Sequence, residues 1–335
     1  MKLYQPDLFS APSISYNKAI RNLQKLRPAD ARYHLMEYQG YVPEENLELE
    51  YSALEFISDW AVQDAIATDP ETAMDLFEQW TIEIQPLLER RPQGRQVVEK
   101  IQRGFFKRVS ETLLDPACPA PDPSFMTQGR AVKCLMMAAR WNRALRLCEQ
   151  LADYTDRPAR IAAYMGDSLY ELGMKNASRS AYLKACIIAP DEIEAYAVRD
   201  TEIRELFTSP ESLCDEHDIP DGPWRNHINW TGAIGIATGL LPLRPDPRLL
   251  PLSGLQEIFY STDSKEIMKQ DHMVTRYHYS TGQCFAAGII LSYSSGPSAV
   301  TGPGAHKQEN TTMDIRRATM KLAPELFSII LSRLT

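Results

Sequence analysis

Between Phe125 and Glu192 the chain repeats itself. Shifted by 34 residues, Leu135 falls on Leu169, Ala139 on Gly173, Ala144 on Ser178, Cys148 on Tyr182 and Leu151 on Ala185. A unit of that length holds two helices and the turn between them. One such unit cannot bury its apolar face alone, so it needs helical neighbours on either side. The fold class that follows is all-α.

The flanks carry the same helical spacing. The first dozen residues, with Pro6 and Pro12, read as an irregular arm, and Ser15 is placed to cap a helix with Ala19, Ile20, Leu23 and Leu26 on one face, ended by Pro28. A second helix is expected over residues 29–39, stopped by Gly40, and a longer one from Pro43 through Trp60 to Ile66. Thr68, Asp69, Pro70 and Glu71 combine a capping side chain, a proline in the first turn and an acid near the positive end of the helix dipole. The helix they start turns Ala73, Met74, Leu76, Phe77 and Trp80 toward a core. Residues 90–94 interrupt the pattern and another helix is expected over 96–114.

Four prolines within residues 115–123 preclude helix there. The chain therefore divides into an N-terminal helical region (1–115), a proline-rich linker (116–124), the repeats (125–192) and a C-terminal helical and irregular region (193–335). In that last region, residues 193–207 are expected to pack as a further helix on the second repeat, and 208–263 are rich in proline. Residues 273–294 admit a hairpin or a helix, with Ser264, Lys265 and Glu266 favouring a helix that runs into them. A Gly/Pro/Ser loop over 294–310 precedes a last amphipathic helix from Thr312, bent or broken near Pro324.

The second copy, Ala159 to Glu192, resembles a tetratricopeptide repeat. Met165 and Gly166 stand in its Leu-Gly slots, Leu169 in the Tyr slot, Ser178 in the small-residue slot, Tyr182 in the aromatic slot and Pro190 in the final slot, while Ala162 replaces the Trp. Gly166 and Ser178 are small where two antiparallel helices must approach, Gly173 permits the turn, and Pro190 ends the second helix. The first copy, Phe125 to Pro158, departs further, with Gln128, Val132 and Cys148 in the Trp, Gly and aromatic slots. The resemblance covers about a fifth of the chain.

It implies antiparallel hairpins stacked as a right-handed α-α array, with the first helix of each hairpin lining a concave surface that takes up a peptide or a partner helix. By the same resemblance, the ligand-facing positions are Met126, Gly129, Lys133, Met136 and Met137 in the first copy. In the second they are Arg160, Ala163, Asp167, Tyr170 and Glu171. Lys133 and Arg160 are suited to a carboxylate, Met136 and Met137 to an adaptable apolar floor, and Tyr170 to stacking or hydrogen bonding.

Composition narrows the function classes. A hydrophobic fraction of 44% and a charged fraction of 24% are those of a folded globular chain. A net charge of −8 opposes a nucleic-acid backbone, so no nucleic-acid partner is expected. No signal-like leader stands at the start, and the longest apolar run, Ala233 to Leu243, is too short to span a membrane, so a cytoplasmic location without membrane contact is expected. The six cysteines form no C-x-x-C pair, which argues against both a zinc knuckle and a disulfide framework.

Glycines and Lys307 in residues 302–307 lack phosphate-loop spacing. Glu216, His217 and Asp218, and the pair His272 and His278, lack a metal-binding spacing. No catalytic residue, metal or cofactor is marked. The leading expectation is a protein–protein interaction scaffold whose partner is a protein or peptide. The alternatives are an enzyme or enzyme subunit with its site in the C-terminal third, and a self-associating structural protein.

Overall fold

The computed structural model describes residues 10–117, 122–222, 224–225, 228–260, 281–294 and 305–333, without the side chains of Thr281, Ser294 and residues 305–313. Every element among them is helical. They fall into two units, Met1–Arg143 and Ala144–Thr335.

The first unit opens with α1 (Ala11–Gln24) packed against α2 (Pro28–Tyr41). Pro12 fits the first turn of α1, where its missing N–H costs nothing, so the helix starts upstream of the expected cap. Ser15 is instead buried inside α1 and donates to Glu37 Oε2 of α2 at 2.8 Å. Gly40 does not stop α2. The long helix expected from Pro43 to Ile66 is two, α3 (Glu48–Ser58) and α4 (Trp60–Thr68). Asn46 takes the N–H of Glu48 at 2.8 Å and delays the start, and Asp59, in extended backbone, takes the N–H of Ala61 at 2.7 Å and forces a new one. The start of α5 (Pro70–Glu83) is as the sequence predicts: Asp69 Oδ1 accepts from the N–H of Glu71 at 3.1 Å and of Thr72 at 3.3 Å.

After α6 (Gln85–Arg90) and a 3-10 turn at Pro92–Gly94 comes α7 (Arg95–Leu113), the axis of this unit. It packs against α1, α4, α5 and α9 (Arg130–Met137), which follows the short α8 (Pro123–Thr127). Gly104 lets α1 come close: a Cβ there would stand 1.8 Å from the carbonyl oxygen of Gln24. Phe56, Phe77, Trp80, Phe105 and Phe106 fill the interior as one cluster, with ring centroids 4.9 to 5.9 Å apart. One charge is buried with its partners. Glu50 is 0% exposed; its carboxylate accepts from the Tyr16 hydroxyl at 2.5 Å and from Arg91 Nη1 at 3.0 Å.

The division between the units falls inside α10 (Trp141–Leu151), downstream of the proline-rich segment, of which residues 118–121 lie outside the described residues. The second unit continues with α11 (Pro158–Glu171), α12 (Lys175–Ile188), α13 (Thr201–Thr208), α14 (Pro210–Glu216), α15 (Thr231–Thr238) and α16 (Leu252–Phe259). It closes with α17 (Thr281–Ser294), α18 (Ala305–Leu322) and α19 (Pro324–Ser332). The described part of the ambiguous segment is helix, in α17; residues 273–280 and the His272/His278 pair lie outside the described residues. α18 starts at Ala305, inside the expected loop, and the break before Pro324 falls as expected.

The apolar run noted at Ala233 is the centre of this unit. α15 is buried along its whole length and packs against α12, α13, α14 and α17, itself buried from Gly282 to Ser292. Trp230 joins the two, with ring centroids 5.8 Å from Trp224 and 5.6 Å from Phe285. No helix among the described residues is long and apolar enough to cross a membrane. The five described cysteines are buried, and burial pushes the thiols of Cys134, Cys148 and Cys186 up.

Both copies of the repeat turn at the same slot through a left-handed residue, Gly173 at φ +77° and Ala139 at φ +55°. The first copy is nonetheless not a simple hairpin. Gly129, also left-handed at φ +79°, splits its leading helix into α8 and α9. Residues 193–207 are not one helix either: two 3-10 turns, Pro190–Glu192 and Ala195–Ala197, precede α13, whose N-cap Asp200 takes the N–H of Glu202 at 3.1 Å.

Gly104→Ala is expected to push α1 off α7 and lower stability by about 1 to 3 kcal/mol, since the clash is with backbone that cannot rotate away. Urea unfolding followed by far-UV circular dichroism checks this, and an unchanged midpoint would contradict the close approach.

Candidate functional site

The second hairpin is assembled around Gly166. A Cβ on it would lie 3.0 Å from three ring atoms of Tyr182, so the ring lies across the bare Cα. Ser178 Oγ donates to the Gly166 carbonyl at 2.8 Å, and the Tyr182 hydroxyl donates to Asp167 Oδ1 at 2.5 Å. The same oxygen accepts the backbone N–H of Arg199 at 2.7 Å. Asp167 thus ties α11 to α12 and both to the segment that follows α12.

That segment, residues 190–200, lies against α11. The Tyr164 hydroxyl donates to Glu194 Oε1 at 3.1 Å, and Arg160 Nε stands 4.0 Å from the same oxygen. Arg157 pairs with Glu192 at 3.5 Å, and Arg199 with Glu171 at 3.9 Å. The Arg199 N–H, committed to Asp167, is a reason that no helix runs through this stretch.

Several of the expected ligand-facing residues are buried or already paired within the chain. Asp167 is 2% exposed and already bonded, Ala163 is buried, Arg160 faces Glu194, and Glu171 faces Arg199. Tyr170 is half-buried. In the first unit Met136 is buried, Met126 and Met137 are half-buried, Gly129 is buried, and Lys133 Nζ lies 3.6 Å from Glu78 Oε1. Because the leading helix breaks at Gly129, positions on either side of it do not share one helical face. Asp167 and Met136 are thus buried, and the first-copy set is divided between α8, Gly129 and α9.

An open concavity lies elsewhere on the second unit. A groove of roughly 1180 Å³ runs between the N-terminal half of α12 and the loop 239–248. Gly239, left-handed at φ +78°, ends α15 and turns the chain into the loop. Leu241 and Leu250 anchor the two ends in the core, while Pro242, Pro245 and Pro247 restrict the backbone between them. Ser180 Oγ of α12 accepts the Asp246 N–H at 3.1 Å and donates to the Asn176 carbonyl at 3.0 Å, which pins the loop to the helix.

The lining is cationic. Lys175 and Arg179 come from α12, Arg244 and Arg248 from the loop, and Asp246 is the acid among the lining residues. Lys175 Nζ is 3.5 Å from Glu202, which Arg179 also reaches, and Arg179 Nε is 3.6 Å from Asp200. Those hydrogen bonds hold the Glu202 carboxyl below the usual carboxylate range. Arg248 forks onto Asp246 at 2.7 and 3.1 Å, lowering the Asp246 carboxyl likewise. Arg244 is exposed and, among the described residues, meets no acid.

Comparison of the chain with family models, with curated proteins and with solved structures returned no match in any of the three. Among the described residues no group of three or more His, Cys, Asp or Glu is placed to hold a metal ion. Sequence reasoning overlooked the four groove cations. The available signal was the run Leu241 to Arg248, in which three prolines alternate with Arg244, Asp246 and Arg248.

Burial raises the Asp167 carboxyl from 3.8 to about 6, against hydrogen bonds from Tyr182 and Arg199 that lower it. Between those two values the folded state holds the proton more tightly than the unfolded state does, so stability falls as pH rises through that window. The contribution is complete below about pH 4, absent above about pH 6, and on the order of 3 kcal/mol. Asp167→Asn removes this titration. Urea unfolding at pH 4 and pH 7 is expected to show a larger drop for the wild type than for the variant; identical drops would contradict the assignment.

Proposed function

We propose that this chain is a protein-interaction scaffold, and that a segment of its partner docks in the groove between α12 and the loop 239–248. The observation that carries this reading is the build of the groove. One wall is a helix flank, and the other is a proline-restricted loop fastened by Ser180 and by two buried leucines. A loop already held in place loses little conformational freedom when a ligand arrives, which favours binding. Docking of a chain segment into a preformed cleft is a recurrent mode of peptide recognition.

The likeness of α11 and α12 to a tetratricopeptide hairpin supports the same class of function, with the docking side moved. The α11 face that the likeness would offer is taken by residues 190–200 of the same chain. Lys175 and Arg244, one on each wall, are accessible and lie outside the packed interior.

The full-length chain and its Lys175→Glu/Arg244→Glu variant, each immobilised, are to be compared for the proteins they capture from a lysate of the source cell. Loss of a defined set of captured proteins by the variant, with an unchanged far-UV spectrum, is the expected outcome. Equal capture by both would reject the groove as the docking site.

A further inference from the structure

We infer that the segment received by the groove is an acidic peptide, with a carboxylate meeting Arg244. This deepens the scaffold reading and rests on it. Four cations line the groove against one acid, and the chain itself displays what three of them take. Glu202 lies between Lys175 and Arg179, Asp200 stands beside Arg179, and Asp246 accepts both prongs of Arg248. Each is a carboxylate. Arg244 is the remaining cation, exposed on a loop whose position is set by Ser180 and the flanking leucines, and it has no acid among the described residues. A carboxylate on the ligand completes the pattern that the other three already show.

The charge of the whole chain sharpens the choice. At a net −8 the protein repels an acidic segment over most of its surface, so the exposed Arg244, with no acid among the described residues, is where a carboxylate of such a segment settles. A nucleic acid is the competing polyanion. Its phosphates meet the same long-range repulsion, and the lining residues include no aromatic ring on which a base could stack. Proline and leucine side chains on the loop wall, Pro242, Pro245 and Leu240 among them, suit instead the aliphatic stems of a peptide.

The test is fluorescence anisotropy on the full-length chain with three labelled probes of equal length: a peptide alternating Glu and Ser, the same peptide with Gln for Glu, and an oligothymidylate. The acidic peptide is expected to bind most tightly and to weaken as salt is raised. Arg244→Ala is expected to weaken it by roughly fivefold, the scale of one exposed ion pair. Arg244 is exposed, so the variant's far-UV spectrum should be unchanged. Binding of the Gln peptide as tight as that of the acidic one, tighter binding of the oligothymidylate, no binding of any probe, or an unaltered affinity in Arg244→Ala would each overturn the inference. If the acidic peptide fails while lysate capture still depends on Lys175 and Arg244, the scaffold reading stands and the acidic ligand alone is wrong. If the peptide binds through Arg244 while capture is unaffected, the recognition chemistry stands and the scaffold reading fails.

Discussion

Tyr182 lies across the bare Cα of Gly166, and the arrangement of the second unit's surface descends from that contact. With no side chain at this position α12 comes near enough for Ser178 to bond the Gly166 carbonyl and for the Tyr182 hydroxyl to reach Asp167. Asp167 then has a second task, since the oxygen that accepts from Tyr182 also accepts the N–H of Arg199. With Arg199 fixed, Asp200 caps α13 and stands beside Arg179, and Glu202 reaches Lys175 and Arg179. A missing methyl group on α11 is thereby linked, through one buried carboxylate, to the charge arrangement at the start of α12.

The same carboxylate is a costly device. Burial opposes its ionisation, and two hydrogen bonds only partly offset that. An apolar residue at position 167 would remove the penalty but leave the Tyr182 hydroxyl and the Arg199 N–H without their acceptor. In the first unit Glu50 presents a parallel case, with Tyr16 from α1 and Arg91 from the turn after α6 converging on it. Buried ion pairs add little net stability over apolar packing of the same volume, whereas their breakage is expensive. What Glu50 and Asp167 both supply is position: each joins three chain segments.

How much of this the sequence discloses depends on the range of the interaction. Contacts spaced along one helix were legible: the all-helical class, the Asp69 cap, the turn at Gly173, and Gly166 as a point of close approach. Single side chains that take a backbone N–H were read less well. Asp59 divides what looks like one helix, and Ser15 has the chemistry of a cap yet sits in mid-helix because Pro12 starts the helix earlier. Bonds between distant residues leave no periodic trace. Asp167 to Arg199 spans 32 positions and Ser180 to Asp246 spans 66, so neither the covered face of α11 nor the groove could be read from spacing. The repeat alignment placed Asp167 among ligand-facing positions, and its chemistry is indeed that of a recognition residue, but the chain recognises itself there.

Residues 190–200 and the loop 239–248 show why self-recognition on one side of the hairpin and openness on the other go together. Both are irregular segments laid against a helix, and both are fixed by a side chain that meets a backbone N–H, Asp167 in one case and Ser180 in the other. They differ in what happens to charge. Along α11 the acids of the segment meet arginines at the start of the helix, the N-cap Arg157 with Glu192 and Arg160 with Glu194, so the two surfaces are matched. Along α12 the loop brings its own arginines toward a helix start that already carries Lys175 and Arg179. Like charges set side by side raise the potential of the cleft, and Asp246, Asp200 and Glu202 lower it for three of the four cations. Arg244 is the groove cation for which no acid stands among the described residues. An acid or a neutral residue at that position would lessen the repulsion between the loop and the start of α12, by no more than the small amount that an exposed ion pair is worth.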